Sequence, residues 1–149
     1  MKIAVQREDF DAGAEMRALS RDPRVGAVAS FVGVVREVGM TLEHYPGMTE
    51  KALEKIVEEA KGRWQVLDCT VIHRVGPLEP TDQIVLVAVA SAHRGDAFAA
   101  CEFIMDYLKT QAPFWKKEAA GWVEARSSDD QAAERWSREA ARAPSRQRR

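Results

Sequence analysis

The chain has 149 residues, 46% of them hydrophobic and 30% charged, with a formal net charge of −1. That is room for one well-buried core, too much apolar content for wholesale disorder, and no global field to steer the protein toward nucleic acid or an anionic membrane. No window approaches the roughly 18 apolar residues of a membrane span, and the N-terminal stretch turns charged before a signal sequence could form, so a cytoplasmic protein is expected. Cys69 and Cys101 are too few for a disulfide framework and lack metal-ligand spacing; they read as small buried hydrophobes. The expected organisation is one domain over residues 1–136 and a basic, disordered tail over 137–149, where five arginines accompany a proline without apolar periodicity.

In chain order, Lys2–Gln6 alternates weakly and reads as a short edge strand. Asp9 or Asp11 then caps a helix that stops before Pro23. Val25–Arg36 is a β-branched run, apolar on both faces, and predicts a central strand with Arg36 where it runs out. An arginine there is ordinarily solvated. A turn over Glu37–Met40 leads into a returning strand at Thr41–Tyr45, closed by Pro46 and Gly47. Thr49 is expected to cap a helix through Trp64, because Leu53, Ile56, Val57, Ala60 and Trp64 repeat at helical spacing opposite a charged face. Cys69–Gly76 and Gln83–Ser91 read as two antiparallel strands joined by a loose loop. A second amphipathic helix follows on Ala97, Phe98, Cys101, Ile104, Met105 and Leu108. His93 and Arg94 precede it, where free N–H groups and the positive end of the helix dipole suit a phosphate. The same two residues would also be unremarkable as a structural histidine and a solvated loop cation. Gly121–Arg126 reads as a last short strand, and Ser127 or Asp129 as the cap of a final helical turn through Trp136.

Tyr107–Glu118 carries the strongest local signal. Pro113 ends the helix near Gln111 and sends Phe114 onward in a new direction, so Lys109 and Lys116 stand on the two arms of a corner. Two ammonium groups facing one space imply an anionic guest. If residues 95–109 form one helix, however, Arg94 and Lys109 lie about 22 Å apart at roughly 1.5 Å per residue. That is too far for one small-molecule pocket within a chain. The favoured resolution is a symmetric dimer in which the helix start of one chain meets the corner of the other. P-loop, GxGxxG, GxSxG and HExxH motifs are all missing. On residue chemistry alone, a non-catalytic anion-binding or scaffold module that docks a partner stays open, as does RNA contact through the basic tail.

Thr41–Leu53, Val71–Gly76, Ser91–Arg94, Phe103–Thr110, Ala112–Glu118 with its Ala-Pro-Phe-Trp-Lys run, and Trp122–Arg126 together resemble the large, catalytic subunit of molybdopterin synthase. The resemblance implies an α/β (α+β) fold of the hammerhead type, with a largely antiparallel sheet and covering helices. It implies a homodimer of large subunits within a heterotetramer, with a small ubiquitin-like sulfur-carrier subunit at each end. The implied reaction delivers two sulfurs from the carrier's C-terminal thiocarboxylate to cyclic pyranopterin monophosphate, giving molybdopterin without a metal or cofactor. By motif, Lys109 and Lys116 match the active-site lysines, and Arg36, His93, Arg94 and Arg126 match pocket residues, with Phe31 and Met105 as pocket walls. The four residues Glu37–Met40 are fewer than the family's loop at that point. A partly buried Lys109 beside Lys116 would have its ammonium disfavoured by desolvation and like charge, suiting it to acid/base work, with Lys116 left to stabilise developing negative charge.

Overall fold

The computed structural model describes residues 1–118, 121–123 and 132–137. The elements run β1 (Lys2–Gln6), α1 (Ala12–Leu19), β2 (Ala27–Val34), β3 (Met40–His44), α2 (Met48–Arg63), β4 (Asp68–Arg74), β5 (Gly76–Leu78), β6 (Gln83–Ser91), α3 (Arg94–Gln111), β7 (Phe114–Glu118) and β8 (Gly121–Val123). A fourth helix, α4, covers 132–137. The expected mixed α/β architecture is present, but the strands divide into two four-stranded sheets, β1-β4-β6-β2 and β5-β3-β7-β8. Pairing is antiparallel throughout except between β1 and β4.

The first sheet is covered on both faces, and β6 shows why its sequence is apolar without alternation. Val85, Val87 and Val89 join the core under α2 and α3, while Leu86, Ala88 and Ala90 join a second cluster with Leu19 of α1. A strand buried on both sides has no polar face to display. β2 shares that cover only in part, with Ala29 in the main core and Val28 and Val32 against the second cluster but Phe31 and Val34 exposed. Predicted to be central, it lies at the edge of its sheet, paired among the described strands with β6 alone. Gly33 in β2 is required: a Cβ there would come within 2.8 Å of Val85 Cγ1 and 3.4 Å of the Phe31 ring.

The predicted returning strand does not come back along β2. β3 crosses instead to the second sheet, pairing with β5 and β7. The link between β4 and β6 is likewise no plain hairpin loop, since β5 leaves to join β3. Val35, Leu42 and Leu78 bury themselves in a third cluster where these connections meet. The β2–β3 connection is short, with Glu37 at φ 69° and the Val38 N–H donating to the Arg36 carbonyl at 2.8 Å.

Both long helices form where periodicity placed them, but α2 is capped differently. Gly47, at φ 85°, takes the cap position, and the Glu50 carboxylate accepts from its N–H at 2.8 Å. Thr49 is inside the helix and fully buried. In α1, Asp11 is the cap and accepts from the Ala14 N–H at 3.0 Å. Across α3, α4 is held by Trp136, whose indole N–H donates to Asp106, and by Arg135, which reaches Asp106 and Glu102 at 3.2 Å. Ser137, the expected first residue of the tail, closes α4 and contacts the Tyr107 hydroxyl at 3.1 Å. Residues 138–149 and the expected caps Ser127 and Asp129 lie outside the described residues.

Candidate functional site

The proline corner forms as its sequence dictates. α3 runs to Gln111, Ala112 turns to φ −80° and ψ 135°, and the Phe114 N–H donates to the Ala112 carbonyl at 2.8 Å. The extended residue before Pro113 is the steric consequence of the ring. Beyond it, β7 pairs His44 with Phe114, Glu43 with Trp115, Leu42 with Lys116 and Thr41 with Lys117. Successive side chains of a strand point to opposite faces, so Phe114 and Lys116 share one face of β7 and Trp115 and Lys117 the other. Lys116 is half-buried; Lys109, in the last turn of α3, is exposed, not partly buried as the sequence suggested. The last turn of a helix ends at the surface, where its carbonyls favour a cation.

Two elements that sequence reasoning did not assign to the corner hold it in place. From α2, the buried Thr49 hydroxyl accepts from the Tyr45 N–H at 3.0 Å and donates to the Pro113 carbonyl at 3.2 Å. Replacing Thr49 with Val keeps the volume and strands both backbone groups, so urea denaturation should show a loss of about 1–3 kcal/mol. From β4, the His73 ring stacks on Phe114 with centroids 3.7 Å apart and planes 14° from parallel. His73 is only 4% exposed and its Nδ1 lies 2.8 Å from the Arg74 carbonyl, to which it donates. Its remaining nitrogen is then the unprotonated one.

Burial is the main reason the His73 ring resists protonation, with the Lys109 and His44 charges adding to it against the Arg74 bond; its pKa is lowered from 6.5 to about 3. The unfolded chain binds that proton near pH 6.5 and the folded chain does not until about pH 3. The stabilisation is thus complete above 6.5 and lost as pH falls toward 3, at up to about 1.4 kcal/mol per pH unit. Urea midpoints compared at pH 5 and pH 7 should show this slope, and His73→Phe should flatten it.

The remaining site residues are spread over the molecule. His93 caps α3 and Arg94 begins it, both exposed. Since α3 is one unbroken helix, Arg94 and Lys109 are held apart as the helix arithmetic required, and the chain does not bring them together. Arg36 is exposed just past β2. Phe31, 43% exposed, lies on the edge strand beside Gly33, whereas Met105 is in the main core at 8%. Arg126 lies outside the described residues. Cys69 and Cys101 are buried free thiols, each pushed up to about 12 by that burial, which leaves them inert as nucleophiles. Among the described residues no three His, Cys, Asp or Glu side chains cluster to hold a metal ion.

Comparison with known proteins gives the arrangement its family. The MoaE protein family matches residues 5–111. A molybdopterin synthase catalytic subunit of Ralstonia nicotianae is 62% identical over 146 residues, spanning 90% of this chain and 83% of its own. The structure of the molybdopterin biosynthesis MoaE protein from Burkholderia ambifaria is 62% identical with a TM-score of 0.83, covering 91% of this chain and 98% of that one. At 20% identity, a chain in the Helicobacter pylori complex of subunits 1 and 2 of molybdopterin-converting factor shares the fold, with a TM-score of 0.68 over 83% of this chain and 90% of that one. With the family match over residues 5–111 and relatives at 62% identity that cover nine-tenths of it, the chain belongs to the MoaE family of molybdopterin synthase catalytic subunits, enzymes of molybdenum-cofactor biosynthesis.

Proposed function

We propose that the chain transfers two sulfurs from the C-terminal thiocarboxylate of a small ubiquitin-like carrier subunit to cyclic pyranopterin monophosphate, with Lys109 and Lys116 as the catalytic pair. The observation that carries this reading is the corner itself. An exposed lysine at a helix end and a half-buried lysine on the following strand flank one proline whose backbone is anchored from α2. Lys109 positions the thiocarboxylate and moves the proton. For each of the two sulfurs, the thiocarboxylate sulfur bonds to a substrate carbon as that carbon's bond to oxygen breaks, the departing oxygen takes the proton that Lys109 delivers, and an acyl–sulfur link remains. Water then cleaves the acyl carbon–sulfur bond, the carrier departs as a carboxylate, and the sulfur stays on the pterin, while Lys116 stabilises the negative charge that builds on the acyl oxygen.

Arg36, Arg94 and Arg126, with His93, bind the substrate phosphate, since a guanidinium offers fixed charge and paired donors to its oxygens. Phe31 and Met105 wall the pterin. Because α3 separates Arg94 from Lys109, each site is completed across a homodimer, and a carrier at each end makes a heterotetramer working in the cytoplasm. The Helicobacter pylori relative, described as a complex of subunits 1 and 2 of molybdopterin-converting factor, supports a second subunit as partner. Among the described residues no helix is long and apolar enough to cross a membrane. Membership in a family of catalytic subunits sets aside the scaffold-only alternative.

The direct test mixes the purified chain with thiocarboxylated carrier and cyclic pyranopterin monophosphate and follows molybdopterin. Product at two sulfurs per pterin, with carboxylate carrier released in step, is the expected result. A carrier that returns still thiocarboxylated would refute the reading.

A further inference from the structure

We propose that His73 is a positioning residue for the lysine corner: its ring, stacked on Phe114 and tied through Nδ1 to the Arg74 carbonyl, fixes the direction in which β7 leaves Pro113 and so where Lys116 stands relative to Lys109. The proposal rests on the reading of those lysines given above.

Three observations converge on it. First, the stack joins the two sheets, because His73 belongs to β4 in the covered sheet and Phe114 begins β7 in the other. β7 is otherwise hydrogen-bonded only to β3 and β8 among the described strands. The contact with His73 therefore ties the lysine-bearing strand to a buried strand of the other sheet. Second, Phe114 and Lys116 lie on the same face of β7, two residues apart, so tilting the Phe114 ring tilts the strand face that carries Lys116. Third, the ring has a fixed orientation. The His73 ring, next to Val71 and Ile72 in β4, is held in one tautomer and one plane by its 2.8 Å bond to Arg74, and a near-parallel stack at 3.7 Å transmits that plane to its partner. Thr49 completes the support by donating from α2 to the carbonyl of Pro113. The ring itself carries no proton traffic. It is buried, and the groups that face it, Lys109 from α3 and His44 from β3, both disfavour its protonated form.

The test measures kcat and KM for carrier and substrate in His73→Leu, His73→Phe, Phe114→Leu and the double Leu variant, with Lys116→Ala alongside. Small displacements at a reacting centre are costly in kcat, so His73→Leu should lose at least about tenfold in kcat while both KM values stay within about twofold. His73→Phe keeps a plane against Phe114 and should return to within about threefold of the parent, with an unshifted pH–rate profile. Phe114→Leu should reproduce the loss, and the double variant should be no worse than either single one, as expected for two residues acting through one contact. If His73→Leu does not fold, the half-buried Phe114→Leu carries the same test. Unchanged kcat in the Leu variants, a loss confined to KM, or a shifted pH profile in His73→Phe would each overturn the proposal. A slow Lys116→Ala beside a normal His73→Leu removes the His73 role and leaves the lysine reading standing. A Lys116→Ala enzyme at full rate removes the lysine reading itself.

Discussion

Lys109→Ala should lower molybdopterin formation by about 10³-fold, the range of a lost acid–base group, with thermal stability essentially unchanged. The second half of that expectation follows from exposure. Lys109 ends α3 at the surface, and exposed substitutions of this kind rarely move stability by more than about 0.5 kcal/mol. The informative companion is Lys109→Arg. A guanidinium keeps the charge and the reach but does not release its proton at working pH, so if Lys109 moves a proton the Arg variant stays within about tenfold of the Ala variant. Recovery to near the parent rate would make Lys109 an electrostatic clamp. Single-turnover measurements with preloaded thiocarboxylated carrier separate either result from weakened carrier binding.

An equally large effect is expected from pairing two inactive variants. Arg94→Ala and Lys109→Ala homodimers should each be strongly impaired, yet hybrids purified through two different tags should recover about half the parent rate. In a symmetric dimer one of the two shared sites then has both residues intact and the other has neither. The prediction follows from the unbroken course of α3 from Arg94 to Gln111, which leaves no route for the two side chains of one chain to meet. Hybrids as inactive as their parents would mean that each chain carries a complete site and that Arg94 serves something else.

Much of this could be read from the sequence because the signals were local. Pro113 forces its predecessor out of the helix wherever it occurs, so the corner was visible without a fold. The helical repeat of Leu53, Ile56, Val57 and Ala60 needed only one covered face to be real. The misreadings all concern partners. β2 touches both core clusters, through Ala29 on one side and Val28 and Val32 on the other, so its apolar run reads the same for a central strand and for an edge one that leaves Phe31 and Val34 exposed. β3 announces itself as a strand, but nothing in Met40–His44 says that it abandons β2 for β7. Thr49 looked like a cap because threonine before a helix so often is one. Gly47 took that place by adopting a positive φ, which freed the hydroxyl for Pro113. His73 was passed over as one polar residue in a buried strand. The available signal was that a titratable ring so deep in an apolar run needs a reason to be there.

The parallel pairing of β1 with β4 bears on how the chain is born. Its register sets Lys2 against Thr70, so β1 waits unpaired during synthesis until α1, β2, β3 and α2 have all emerged. The β4–β6 pairing closes over a far shorter span, from Asp68↔Ala90 to His73↔Val85, and carries the most deeply buried side chains. Loop closure favours the short span first. That order makes β1 a late addition to a preformed edge, and during synthesis it leaves the flank of β4 open to any other extended segment that reaches it first.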